Sequence, residues 1–187
     1  MSGKTILWRR LDQPGHDAAR LWFQDPFWCV EGTALFVEGK QICRLNYQIY
    51  CDPAWNTVSG KVTGWVGEKI IAVEFSADPT RRWLLNGIDC GSIEGCIDVD
   101  LNFTPATNLL PIRRLQLPIG KEAIVRSAWL RFPEFTFEVL EQVYRRVSSE
   151  TFQYKTLDGK FAKDLTVNDV GFVTRYTDFW VVEAENL

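Results

Sequence analysis

The sequence predicts a mainly β protein, an antiparallel sheet curled into an open or incomplete barrel, with one or two short helices. Three observations carry that expectation. Apolar and polar residues alternate with a period of two along much of the chain, as they do where one sheet face is dry and the other wet. Turn-forming words separate these runs at roughly 8 to 12 residues, the spacing of a meander. The chain also holds 8 Trp, 12 Phe and 5 Tyr, side chains large enough to line a wide interior.

The elements follow in order. Strands are expected over 5–10, 18–24, 27–37, 41–51, 58–66, 69–76 and 82–85. From 97 to 104 the alternation is unbroken, with Ile97, Val99, Leu101 and Phe103 opposed to Asp98, Asp100, Asn102 and Thr104. This reads as a half-buried antiparallel strand with its acids outward. Later strands are expected over 121–131, 151–156, 161–167 and 172–176, with Lys163 an intruder on an apolar side. The segment 135–147 fits a helix stripe or a strand, and its β-branched and aromatic residues favour the strand. Short helices are candidates within 11–20 and 104–110. Glu38-Gly39-Lys40, Asp52-Pro53, Asn86-Gly87, Leu157-Asp158-Gly159 and Asp169-Val170-Gly171 supply the turns. The glycines of 60–67 read as bulges or bends that curl the sheet.

Composition narrows the functions. The 187 residues are 46% hydrophobic and 24% charged, which fits a single globular β domain over 1–187. A net charge of -3 argues against nucleic acid as a partner. The start has no apolar export region, and the longest uncharged run, 101–112, contains two prolines. It is also shorter than the roughly 20 apolar residues of a spanning helix. No transmembrane segment and a cytoplasmic location are therefore expected. Cys29, Cys43, Cys51, Cys90 and Cys96 form no C-x-x-C pair and read as reduced, buried thiols. The one histidine, His16, sits by composition in a loop, and no nucleophile elbow, P-loop, Rossmann glycine word or metal-ligand spacing occurs. Neither a metal nor another cofactor is expected.

Two constellations remain. Asp98 and Asp100 are two apart on a strand, about 6.6 Å along the backbone, a separation compatible with a glycosidase carboxylate pair. An outward polar face or an ion pair with arginine explains them as well. Arginine doublets recur at Arg9-Arg10, Arg81-Arg82, Arg113-Arg114 and Arg145-Arg146. On a strand one member of a doublet must turn inward and find an anion. Asp98, Asp100, Glu138 and Glu141 are candidates, and an anionic ligand head group is the alternative. No single tryptophan is assignable, since a core of this size absorbs most of them.

The chain also resembles a known family. The matching words are Trp8-Arg9-Arg10-Leu11-Asp12, Cys51-Asp52-Pro53-Ala54-Trp55, and a long stretch from Gly95-Cys96-Ile97-Asp98-Val99-Asp100-Leu101 through Phe103-Thr104-Pro105-Ala106-Thr107-Asn108 to Leu110-Pro111-Ile112-Arg113-Arg114-Leu115. Ala128-Trp129-Leu130-Arg131-Phe132-Pro133 and Leu140-Glu141-Gln142-Val143-Tyr144 follow in the same order. They resemble the bacterial "putative glycolipid-binding" family, formerly a domain of unknown function. The resemblance implies a fold like the lipoprotein-localisation carriers, a curled antiparallel sheet around a greasy interior. It supplies no catalytic or ligand-contacting residue to carry over.

These readings converge on non-catalytic binding of an amphipathic small molecule, a glycolipid or fatty-acyl compound, in an apolar cavity of the curled sheet. Candidate ligand-binding residues are Trp8, Arg10, Asp98, Asp100, Asn102, Asn108, Arg113, Arg114, Trp129 and Arg131. A sugar- or lipid-directed hydrolase using Asp98 and Asp100, and an interaction module with a filled barrel, are the alternatives. A monomer or homodimer is expected.

Overall fold

The computed structural model describes residues 3–187. Eight strands run in sequence: β1 (Lys4–Arg10), β2 (Gly15–Gln24), β3 (Phe27–Glu38), β4 (Gln41–Cys51), β5 (Thr57–Val66), β6 (Lys69–Ala77), β7 (Trp83–Leu85) and β8 (Ile88–Asp89). After β9 (Asp98–Asp100) and helix α1 (Leu109–Leu115) come β10 (Glu122–Arg131), β11 (Thr136–Arg146), β12 (Thr151–Thr156), β13 (Ala162–Val167), β14 (Val173–Tyr176) and β15 (Trp180–Asn186). All belong to one 15-stranded sheet with β1 paired to β15 at its middle, β8 at one edge and β9 at the other. Each neighbouring pair is antiparallel except β9 with β10.

The sheet curls without closing into a barrel. Phe137 of β11 meets Phe75 of β6 and Trp83 of β7 edge-on, at 5.7 and 5.6 Å between ring centroids. Elements near opposite edges thus face one another across the concave side. The segment 91–115 fills that side. Ile93, Cys96, Leu101, Phe103, Leu109 and Leu110 are buried there in one cluster with Trp8, Phe36 and Leu45 of the sheet. A second cluster lies under α1, where Ile112 packs with Val125, Tyr144, Phe152 and Leu165.

Alternation placed most strands correctly, including β11, whose segment is strand and not helix. Asn86-Gly87 makes the two-residue link of β7 to β8 with φ of 50° and 79°, the mirror-image turn that suits a hairpin. Lys163 keeps its ammonium 2.7 Å from Asp178 and 5.5 Å from the centre of the Phe179 ring, an ion pair and a cation–π contact that reconcile it with an apolar side.

The exceptions are instructive. Only Asp98–Asp100 of 97–104 is strand, and it runs parallel to β10. Asp98 and Thr104 are buried along with Val99, Leu101 and Phe103, and of the expected wet face only Asn102 is exposed. Residues 11–20 contain no helix, because β2 begins at Gly15 and takes exposed His16 onto a strand. β15 was not anticipated; its Glu183, Ala184 and Glu185 interrupt the apolar pattern.

The glycines of β5 are not bulges, since pairing with β6 is continuous from Ser59 to Val66. Gly64 has φ of +145°, and a Cβ there would lie 1.9 Å from the Arg44 carbonyl oxygen. Gly64→Ala is expected to cost about 2–4 kcal/mol, through backbone strain and the displaced strand. Gly91→Ala, which meets nothing within 4 Å, should stay within about 0.5 kcal/mol of the parent. Urea unfolding of both variants checks this.

Candidate functional site

Most of the predicted polar residues converge on the interior segment, and the protein itself satisfies them. Asp98 accepts from Arg114 Nε at 3.0 Å, with the second guanidinium nitrogen on its other oxygen. Burial raises the Asp98 carboxyl above the usual carboxylate range, against the pull of Arg114. Asp100 accepts from the Asn102 backbone N–H and from Gln142 Nε2, both at 2.8 Å, and burial raises it too. Asn102, at φ of 55°, accepts from the Phe132 N–H at 3.1 Å. Asn108 donates to the Tyr144 hydroxyl at 2.9 Å. These bonds hold segment 91–115 against β10 and β11.

The inward arginines are likewise engaged. Arg10 reaches Asp12 at 2.8 and 3.1 Å and lies over the rings of Phe36 and Trp180. Arg81 donates to the Cys96 and Ile97 carbonyls at 3.1 and 2.8 Å. Arg146 donates to the carbonyls of Leu117, Ser148 and Ser149. Arg131 pairs with Glu138 at 2.9 Å and covers Trp129, while Arg113 stacks over Trp55. Trp8 is fully buried, its indole N–H donated to the Val173 carbonyl. Among the described residues no buried side-chain nitrogen or oxygen lacks a partner. Burial also pushes the Cys29 thiol up to about 12 and that of Cys96 to about 11, values at which a cysteine is a poor nucleophile.

One buried acid escaped the sequence reading. Asp17 of β2 is completely buried. Its two oxygens each accept from the Tyr47 hydroxyl at 3.1 Å, and the Thr104 hydroxyl donates to one of them. Thr104 Oγ1 also accepts the Ala106 N–H at 3.0 Å, capping the short 3-10 turn Pro105–Asn108. Asp17 thereby ties the sheet to the interior segment. Desolvation pushes its carboxyl up to about 7, and the hydroxyl donors only partly offset that. The available signal was its place in the Asp17, Ala19, Leu21 alternation.

The convex face carries an open groove of about 910 Å³. Register explains it, because directly opposed residues of antiparallel strands share a face. Ala18, Thr33, Asn46, Thr63 and Ala72 form one such row across five strands. They are small beside the next row, Arg20, Glu31, Gln48, Lys61 and Glu74. The short row is the floor of a trough and the tall one its wall. Arg20 pairs with Glu31 at 2.6 Å, Gln48 donates to Glu31 at 3.4 Å, and Thr33 donates to Asn46 Oδ1 at 2.9 Å. Neutral amides, hydroxyls and fixed charges thus line an open cleft with methyl groups in its floor. None of the predicted site residues lies in it. Sequence reading missed the trough because its rows run across strands.

Taken as a class, this is a mainly β protein built on one curled, unclosed sheet with its concave face occupied. The chain belongs to the family described as "Putative glycolipid-binding", which it matches over residues 5–181. A crystal structure of a DUF1089-family protein from Pseudomonas aeruginosa has the same fold, with a TM-score of 0.77 at 24% identity, covering 86% of this chain and 88% of that one. No curated protein matches the chain. Among the described residues no cluster of metal-binding side chains occurs, and no helix is long and apolar enough to cross a membrane.

Asp17 makes stability depend on pH. A carboxyl near 3.8 when unfolded and about 7 when folded binds more protons in the folded state between those values. Its contribution is therefore fully favourable below the unfolded value and is lost as pH rises through the folded one. The loss is as much as about 4 kcal/mol. Asp17→Asn, which imitates the protonated acid, should flatten the fall in unfolding free energy between pH 4 and pH 7. An unchanged pH slope in chemical denaturation would refute this.

Proposed function

We propose that the protein binds an amphipathic ligand with a hydroxyl-rich head group, a glycolipid or related acyl compound, without transforming it. The observation that carries this reading is the convex trough. Its volume of about 910 Å³ falls within the range of small-molecule sites. Asn46, Gln48, Thr63 and Lys61 offer donors and acceptors that sugar hydroxyls can satisfy. Asn46 accepts from Thr33 through its oxygen, and its amide N–H groups are the donors it can offer a ligand.

The family description supports the ligand class. The acids do not favour a hydrolytic reading: Asp98 is committed to Arg114 and Asp100 to Gln142 and the Asn102 N–H, and neither borders the trough. Hydrogen bonds to the Arg20–Glu31–Gln48 wall would orient the head, and the methyls of Ala18 and Thr63 would meet its apolar edge.

The test fills the floor. Ala18 and Thr63 are exposed strand residues, so the A18Q/T63Q variant should fold normally. Titration of a glycolipid panel in detergent is expected to find a binder whose affinity falls at least about tenfold in the variant, about 1.4 kcal/mol. Absence of binding to any member, or equal binding by both proteins, would overturn the reading.

A further inference from the structure

We infer that the chain meets its ligand at a bilayer surface, docking through an apolar strip beside the trough onto anionic lipid. This rests on the trough reading above, but it assigns a separate surface. On the trough's other side runs the row His16, Leu35, Arg44, Trp65 and Ile70. Leu35 is 50% exposed and Ile70 76%. Ile42, 56% exposed, faces Val37 one step further along, and Leu11 lies by the same hollow. Isolated exposed apolar residues are ordinary, whereas several on one face mark an interaction surface, and here they are interspersed with the cationic Arg44 and with His16.

The partner follows from two features. The concave face is occupied by Ile93, Leu101, Phe103, Leu109 and Leu110, so an acyl tail cannot be housed there with the core in place. A tail attached to a head in the trough would lie one row away, across Leu35, Trp65 and Ile70, covered on one side only. Its other side would face water, which is costly for a hydrocarbon chain, unless a bilayer supplied the cover. The charges agree. Ile42 and Ile70 flank the hairpin turns at Gly39-Lys40 and Gly67-Glu68. Arg44 stands in the row itself, between Leu35 and Trp65, and Lys40 sits in the turn beside Ile42, with Glu68 in the turn beside Ile70. Cations beside exposed apolar side chains are the arrangement that holds a protein in the headgroup layer of an anionic membrane. The protein thus reads a lipid held in its membrane and does not carry it through water.

Vesicle flotation tests this, using phosphatidylcholine mixed with phosphatidylglycerol. The parent protein is expected to float with the vesicles, and I42E/I70E to bind at least about tenfold more weakly. Both substituted residues are exposed, and an unchanged melting temperature confirms the fold. The A18Q/T63Q variant should float like the parent, which separates failure of docking from failure of the trough. A parent protein that stays in solution, an I42E/I70E variant that floats equally, or transfer of a fluorescent glycolipid from vesicles into the aqueous phase would each overturn the inference.

Discussion

One constraint governs this fold: the inner face of a 15-stranded open sheet must be covered, because leaving its apolar side chains wet would cost more than folding gains. A closed barrel covers that face with its own far wall. Here the wall is incomplete, and the chain inserts residues 91–115 instead. The crossover from β8 to β10 is therefore a structural element of the core. Its Leu101, Phe103, Leu109 and Leu110 do what facing strands would otherwise do.

Covering a greasy face with an irregular segment brings backbone and side-chain polar groups indoors. Each then needs a partner, since an unpaired buried group costs on the order of 1–3 kcal/mol. The polar residues around the segment answer that need. Arg114 meets Asp98, Gln142 meets Asp100, Tyr144 meets Asn108, and Asp17 with Tyr47 meets Thr104. Asp17, like Asp100, has no cation among its bonded partners, and desolvation pushes its carboxyl up to about 7, which couples its ionisation to the stability of the fold. Beside this filled concave side, the convex side carries an open groove of about 910 Å³, where the register sets a row of short side chains beside a row of long ones.

Much of the fold was legible because strands write their two faces directly into the sequence. Cys43, Leu45, Tyr47, Ile49 and Cys51 alternate as buried residues along β4, and Asn86-Gly87 marks its hairpin by the positive φ it permits. The same logic misled at 97–104. There the polar positions Asp98 and Thr104 are buried and only Asn102 is exposed, and Asp98 is held indoors by its ion pair with Arg114 on a helix 16 positions away. The arginine doublets were half legible. Strand geometry applies to Arg9-Arg10 and Arg145-Arg146, whereas Arg81-Arg82 precede β7 and Arg113-Arg114 lie on α1, and that Arg81 and Arg146 would be met by carbonyls depends on tertiary placement. The trough was not legible at all, because Ala18, Thr33, Asn46 and Thr63 become neighbours only through pairing registers. The apolar cavity expected inside the sheet gave way to the same long-range fact. The segment that was read as its lining is its filling.

Amide hydrogen exchange, with and without a glycolipid that binds in titration, tests the central claim most directly. Placement of the ligand on the convex face predicts slowed exchange in β2 to β5 around Ala18, Thr33, Asn46 and Thr63, and no change across residues 91–115. Altered exchange confined to 91–115 would mean that the concave interior opens to receive the ligand, and would contradict the account.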